Sequence, residues 1–437
     1  MADALAAKIT ASEAVVGVVG LGYVGLPVAL TFAEAGLAVL GFDIDGAKID
    51  VLSAGGSYIG HLPAQRIRRA LASGRFRATV DFRRLAEADA VVICVPTPLT
   101  PQREPDLSSV EATVEQIRAT LRPGQLIVLE STTYPGTTDE LLRLRLETTG
   151  LACGRDFFLA FSPEREDPGN TRFTTAQIPK VVGGVDVVSG DLAQALYDRA
   201  FERTVRVGSA RAAEASKLTE NIFRAVNIAL VNELKVVFDR MGIDVWEVLD
   251  AAATKPFGFL RFDPGPGWGG HCIPLDPFYL AWKARQYDVP TQFIELAGEV
   301  NRGMPAWVVA KLQAALNERG LAVKGRRVLV LGIAYKRDVA DPRESPAFEV
   351  IDRLLALGAE VSYHDPHLPE APAMRSWPHL PPLTSVPLTE ATLAAADAVV
   401  LVTDHASVDY ELVGRAARLI VDTRGVFRAP RPEVIKA

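Results

Sequence analysis

The sequence predicts an α/β protein: two doubly wound parallel-sheet domains joined by a central helical domain with a long spine helix. Short, continuously apolar runs alternate with helix-period segments over residues 1–204 and again over 317–437, the pattern of strands covered on both faces. Residues 205–316 between them are helical in period. The third observation is an echo. ADAVVICV at 88–95 returns as ADAVVLVT at 396–403, so two sheets of one plan are expected to face each other across a cleft.

In chain order, AVVGVVG reads as a strand, LGYVGLP as a turn, VALTFAEAG as a helix and LAVLGFDID as the next strand, a βαβ unit. Ala14 to Ala33 carries no charge over 20 residues, the length of a membrane span. Its four glycines and proline, and its change from β-branched to helical pattern, make it a buried strand, turn and helix instead. ADAVVICVP, QLIVLEST, FFLAFSPE and KVVGG continue the first sheet as buried strands. In the middle region Leu218, Ile222, Ala225, Ala229, Leu230, Leu234 and Val237 recur at helical spacing, and Gly242 is placed to end that helix. It serves either as a spine at a dimer seam or as an internal core helix. RRVLVLGIAY, AEVSYHDP, ADAVVLVTDH and RLIVDTRG are the strands of the last region, and the proline-rich stretch from Pro366 to Pro387 reads as an ordered surface loop.

Hydrophobic residues make up 49% of the 437 and the net charge is −6, which argues for a globular protein and against a nucleic-acid partner. Cys94, Cys153 and Cys272 form no CxxC pair, so no disulfide framework and no metal site is expected. That usage fits a reducing cytoplasm, and no membrane association is expected.

Gly20-Leu-Gly22-Tyr-Val-Gly25 follows a strand and opens a helix. Gly20 permits the tight turn, Gly22 lets backbone N–H groups approach a pyrophosphate, and Gly25 lets helix and strand pack closely. Asp43, about 20 residues on, ends the next strand, where a carboxylate accepts from a ribose 2′-hydroxyl and repels a 2′-phosphate. NAD is therefore expected over NADP. By itself such a site serves an alcohol dehydrogenase or a redox-sensing regulator equally well.

Further candidates lie outside that motif. Glu164 in FSPERE sits past a strand's carboxyl end. Lys217 and Asn221, spaced i,i+4, share a helix face where two donors can hold an oxyanion, although Lys217 can equally be a surface partner of Glu214. Cys272 stands in GWGGHCIPLDP, four residues before Asp276, and both can reach one reacting carbon or its water. Lys336, Arg343 and Arg424 fall near strand ends of the last region, where cations suit a phosphate-bearing ligand as well as open solvent.

Taken together, GLGYVGLP, ICVPTPL, ESTTYPGTT, SPERE, EASKLTEN, PGPGWGGHCIPLDP, AYKRDVADPRESP and VDTRG resemble the UDP-glucose/GDP-mannose dehydrogenase family over residues 14 to 428, in the family's order. The resemblance implies an NAD-binding Rossmann-like domain, a central dimerisation domain and a UDP-sugar-binding Rossmann-like domain. It implies four-electron oxidation of a sugar C6 alcohol to the acid by two NAD in succession, as part of polysaccharide biosynthesis. Carried over residue by residue, Cys272 is the nucleophile that forms a thiohemiacetal and then a thioester. Lys217 and Asn221 steady the oxyanion, Asp276 organises water, Glu164 is acid/base and Thr132 orders the water. Cofactor contacts fall on Gly20, Gly22, Tyr23, Val24, Gly25, Asp43, Lys48, Thr97, Thr132 and Arg343. Substrate contacts fall on Glu164, Arg165, Lys217, Asn221, Arg261, Gly265, Gly267, Tyr335, Lys336 and Arg424. In the family the loop at 259–267 can be completed by a neighbouring subunit, so a homodimer or larger homo-oligomer is implied.

Leu275, where the UDP-glucose branch carries lysine, and HCIPLDP without a Ser-Cys opening both turn the resemblance toward UDP-N-acetylhexosamines. UDP-N-acetylglucosamine comes first, with UDP-N-acetylmannosamine or UDP-glucose as the alternative. A two-electron hydroxyacid-type dehydrogenase is the more distant rival; it has no use for Cys272.

Overall fold

The structure is a computed structural model that describes residues 1–60, 62–100, 102–165, 173–270 and 273–437. Its packing divides the chain into two compact units, Met1–Glu220 with Trp282–Val289, and Asn221–Ala281 with Pro290–Ala437.

The first unit is built on an eight-stranded sheet: β1 (Val15–Val19), β2 (Ala38–Phe42), β3 (Phe76–Thr79), β4 (Ala90–Ile93), β5 (Leu126–Leu129), β6 (Phe158–Phe161), β7 (Lys180–Gly184) and β8 (Thr204–Arg206). The spatial order is β3-β2-β1-β4-β5-β6-β7-β8. The apolar runs are continuous because successive side chains feed opposite cores. Val18, Ala90 and Val92 pack into one, while Val19, Val91 and Ile93 pack into the other. Pairing is parallel from β3 to β6, but β7 runs antiparallel to β6. The strand at KVVGG therefore begins at the edge of the sheet where β6 ends, a reversal that a βα alternation does not announce.

The second unit carries β9 (Arg327–Leu331), β10 (Glu360–His364), β11 (Ala398–Leu401), β12 (Ile420–Asp422) and β13 (Val434–Lys436), all parallel, in the order β10-β9-β11-β12-β13. The repeated ADA segment has the same work in both sheets. Asp89 N–H donates to Val15 O at 2.8 Å while its carboxylate accepts from Val15 N–H at 3.1 Å. Asp397 exchanges the same two bonds with Arg327, at 2.8 and 2.9 Å. Each aspartate thus pins the start of the first strand to the strand beside it, which fixes register.

The spine helix spans Ala210–Met241, and Gly242 ends it at φ +71°. Leu218, Ala225 and Ala229 are buried, whereas Leu230 and Val237 remain exposed along with Phe223. No described helix is long and apolar enough to cross a membrane.

Candidate functional site

In the first unit the sheet's carboxyl edge collects the expected side chains, because Asp43, Thr97, Thr132 and Glu164 follow the ends of the parallel strands β2, β4, β5 and β6. At the glycine turn, Gly20 has φ +91°, and a Cβ there would sit 2.5 Å from Cys94 O. A Cβ at Gly25 would lie 1.8 Å from Gly20 O, so turn and helix cannot separate enough for any side chain. Gly22 differs: a Cβ there meets nothing within 4 Å, so the space above the turn is open. The helix Gly25–Glu34 starts at Val24 without a side-chain cap, next to Tyr23, which leaves its positive end to a ligand's phosphates. These residues fit a dinucleotide.

Asp43 is buried and ties the turn to its own strand. Its Oδ2 accepts from Leu21 N–H at 3.0 Å and from Lys48 Nζ at 3.2 Å, and its Oδ1 accepts from Asp45 N–H at 3.0 Å. A carboxylate offers about four acceptor sites, so three protein bonds leave one for a ribose hydroxyl. Thr97 Oγ1 donates to Thr132 O at 2.8 Å, joining the loops after β4 and β5. A carboxylate at the end of β2 would repel a 2′-phosphate brought to it, so NADP is expected to give a kcat/KM on the order of 10²-fold below NAD. Steady-state rates with both cofactors check this, and equal efficiencies would remove Asp43 from the ribose site.

Beyond the cofactor turn lies a buried charge cluster. Lys180 Nζ stands 3.0 Å from Glu130 Oε2 and 3.4 Å from Glu164 Oε2. The Tyr197 hydroxyl donates to the other oxygen of Glu130, and the Cys94 thiol lies 4.0 Å from Glu130 Oε2. Burial works to lower Lys180, but the Glu130 and Glu164 carboxylates outweigh it and hold the ammonium above its usual range. Removing one partner of such a pair costs about 3–5 kcal/mol, since the other charge stays buried and alone.

Arg165 donates its backbone N–H to Glu164 Oε1 at 2.6 Å, while its guanidinium is taken by Glu220 at 2.7 Å and by Pro179 O at 2.8 Å. Lys217 is buried on the spine helix. Glu214 is not its ion-pair partner: that carboxylate accepts from Gly136 N–H and from Thr138 N–H and hydroxyl, at 2.5, 2.9 and 2.6 Å, closing the start of the helical segment at Thr138.

In the second unit Asn221, one helical turn after Lys217, donates from Nδ2 to Asp276 Oδ2 at 2.5 Å, and both are buried. Asp276 opens the helix Asp276–Arg285. Cys272 and His271 lie outside the described residues. The glycine strip before them is held at several of its residues. Gly265 donates its N–H to Asn232 Oδ1 at 2.9 Å and accepts from Lys235 Nζ at 2.8 Å, and a Cβ on it would meet the Arg424 guanidinium at 2.5 Å. Lys235 is buried over the Trp307 ring without a carboxylate partner among the described residues, and burial pushes it well below an ordinary lysine. Gly267 has φ +129° and stands against Asn301 O. Gly269 and Gly270 abut Tyr335, and Gly270 N–H donates to Arg343 O at 3.0 Å. The close neighbour these glycines admit is the chain's own tyrosine.

Tyr335 and Lys336 follow β9 and Arg424 follows β12, so all three stand at the carboxyl edge of the second sheet. Arg424 Nε donates to Val402 O at 2.7 Å. Arg343 forks onto Asp341 at 2.6 Å, and Arg261 is clamped between Asp250 and Asp263, at 2.5 and 2.8 Å. Asp338, His367 and His405 approach one another, but both His405 ring nitrogens are engaged, by Asp338 N–H at 3.0 Å and Asp365 Oδ2 at 3.1 Å. That trio offers no open imidazole lone pair from His405 to a metal.

Lys180, Glu130, Asn232 and Lys235, which the structure buries next to the expected residues, carry no motif in the sequence. The signal for the first was a lysine opening an otherwise apolar strand.

Residues 14–201, 211–303 and 329–429 match the NAD binding, central and UDP binding domains of the UDP-glucose/GDP-mannose dehydrogenase family. The chain is 33% identical over 421 residues to the UDP-N-acetyl-D-mannosamine dehydrogenase of Pyrococcus horikoshii, covering 95% of this chain and 96% of that one. It is 36% identical over 364 residues to a UDP-N-acetyl-D-glucosamine 6-dehydrogenase of Pseudomonas aeruginosa, covering 83% and 85%. Among solved structures, the UDP-D-ManNAc dehydrogenase from Pyrococcus horikoshii superposes with a TM-score of 0.86 over 97% of this chain and 98% of that one, at 33% identity.

Proposed function

This chain belongs to the UDP-glucose/GDP-mannose dehydrogenase family, and from that premise we propose that it oxidises C6 of UDP-N-acetylglucosamine to the carboxylate. It is an NAD-dependent UDP-sugar dehydrogenase, an oxidoreductase. The buried Asn221–Asp276 contact one helical turn from Lys217 supports the oxidation itself, and the choice of sugar is supported by a 36%-identical relative named as a UDP-N-acetyl-D-glucosamine 6-dehydrogenase. A manno epimer is the second reading, supported by the Pyrococcus horikoshii relative and its fold.

Bound NAD supplies hydride acceptance, twice per sugar. The residues of the chain do the rest. Lys217 and Asn221 donate to the C6 oxygen as it gains negative charge, and Asp276 aims the Asn221 amide by accepting one of its two N–H bonds. The Cys272 thiolate adds to the aldehyde carbon, which keeps the reactive intermediate bound and presents a second C–H bond. After the second hydride leaves, the carbon is a thioester. Glu164 takes a proton from the water that attacks it, and the thiolate departs. One alcohol, two NAD⁺ and one water give one carboxylate, two NADH and three protons. Arg424, Lys336 and Tyr335 hold the UDP end. The seam between subunits is assigned to the spine helix, with its exposed Phe223, Leu230 and Val237.

Incubation with UDP-N-acetylglucosamine, UDP-N-acetylmannosamine and UDP-glucose in parallel tests both layers. Two NADH per sugar consumed are expected, with the first sugar turned over fastest. One NADH per sugar would point to the hydroxyacid-type reaction, and a faster manno epimer would replace the substrate assignment.

A further inference from the structure

Lys235 has no place in the reaction just described, yet it touches the loop assigned to the substrate. The stretch Pro264-Gly265-Pro266 has a single backbone N–H, that of Gly265, because neither proline carries one. All three residues are buried, so the polar groups of Gly265 need partners from elsewhere in the protein. Two side chains of the spine helix, spaced i,i+3 and therefore on one face, supply them. Asn232 Oδ1 accepts the Gly265 N–H at 2.9 Å, and Lys235 Nζ donates to Gly265 O at 2.8 Å. We propose that Lys235, together with Asn232, is a positioning residue for the nucleotide end of the substrate: by gripping Gly265 at its N–H and its carbonyl, the pair sets the surface against which the Arg424 guanidinium rests. This rests on the reading of Arg424 as a UDP contact.

The contact with Arg424 is close. A Cβ on Gly265 would lie 2.5 Å from Nη1 and 3.0 Å from Cζ of that guanidinium, so the flat cation packs on the bare α-carbon. Arg424 is anchored on its other side by Nε, which donates to Val402 O at 2.7 Å. A shift of Gly265 therefore either pushes the guanidinium or opens a gap beside it. The grip itself is fixed from a second helix, Gln292–Glu318. Asn232 Nδ2 donates to Asn301 Oδ1 at 2.8 Å, and Asn301 Nδ2 donates to Ala225 O at 3.2 Å, with both asparagines fully buried. Lys235, at 2% exposed, lies with Nζ 4.9 Å from the centre of the Trp307 ring on that same helix. A helical lysine ordinarily pairs with a carboxylate one turn away. Here Asp239, four residues on, is taken by Lys311 Nζ at 2.7 Å, and Lys235 turns to the carbonyl instead.

A lysine that merely satisfied a buried carbonyl would change the melting temperature and leave binding alone. The test is steady-state kinetics of the full-length enzyme with UDP-sugar and NAD varied separately, together with calorimetric binding of UDP and melting temperature. Lys235→Met nearly keeps the volume and removes the donor. It is expected to raise the KM for UDP-sugar and the Kd for UDP by about tenfold, with kcat and the KM for NAD within about twofold of wild type. A lower melting temperature with both UDP constants unchanged overturns the proposal, as does an equal rise in the KM values of UDP-sugar and NAD. Should Lys235→Met not fold, Lys235→Gln keeps a donor on a shorter arm. A rise of about threefold confined to the same two constants is then expected, and unchanged constants overturn the proposal equally. Arg424→Gln separates the two layers, with UDP expected to bind on the order of 10²-fold more weakly. Wild-type UDP binding there removes the reading of Arg424 and the proposal with it, whereas weakened binding there beside an unaltered Lys235→Met removes only Lys235.

Discussion

Cys272→Ser is expected to lower acid formation by on the order of 10⁴-fold or more while UDP-sugar binding stays within about threefold of wild type. A serine hydroxyl is a far weaker nucleophile than a thiolate at neutral pH, and no adjacent base is assigned to activate it. The aldehyde then has no covalent anchor, so the second oxidation is the step that fails. NADH yield over a single turnover, the released products and calorimetric binding of the sugar nucleotide give the three readouts. Unimpaired acid formation would end the covalent route. Both flanks of Cys272 are held, Gly270 through Arg343 O and Asp276 through Asn221, so serine, of nearly the same volume, is expected to leave the fold intact.

Asn221→Asp is expected to cost about 10³-fold in kcat at pH 8, more than the roughly 10²-fold expected of Asn221→Ala. The wild-type amide donates to Asp276 at 2.5 Å, and both residues are more than nine-tenths buried. A second carboxylate at that distance cannot ionise alongside the first, so the pair shares one proton and its uptake shifts upward. A native pair that binds its proton more tightly than the unfolded chain does is stabilised at low pH and loses that contribution as pH rises. The variant's melting temperature should therefore fall further below wild type between pH 5 and 8, and its kcat should partly recover toward pH 5. A melting deficit flat with pH would mean that the two side chains do not meet.

Much of the fold was legible because strand burial writes itself directly into the chain. Val15–Val19, Ala90–Ile93 and Ala398–Leu401 are continuous apolar runs in the sequence and fully or nearly fully buried strands in the structure. The cofactor turn was legible for the same reason, since each of its glycines answers a separate steric demand. Spacing on one helix made Lys217 and Asn221 readable as neighbours. What spacing does not carry is a meeting across the sheet. Glu130 and Lys180 are 50 positions apart, and only the reversal of β7 brings them together. The alternative partner for Lys217 failed on similar grounds. Proximity in sequence suggested Glu214, but bare N–H groups at Gly136 and Thr138, more than 70 positions away, hold that carboxylate instead.

The strip from Gly265 to Gly270 is shaped by what stands behind it. Methyl groups at 269 or 270 would collide with Tyr335, and at 265 with Arg424. Side chains are therefore closed out at these three glycines, whatever stands in front of them. Arg261 and Asp263 are more open to change, with side chains 31% and 57% exposed. Libraries meant to spare the backbone of this loop belong at those two codons.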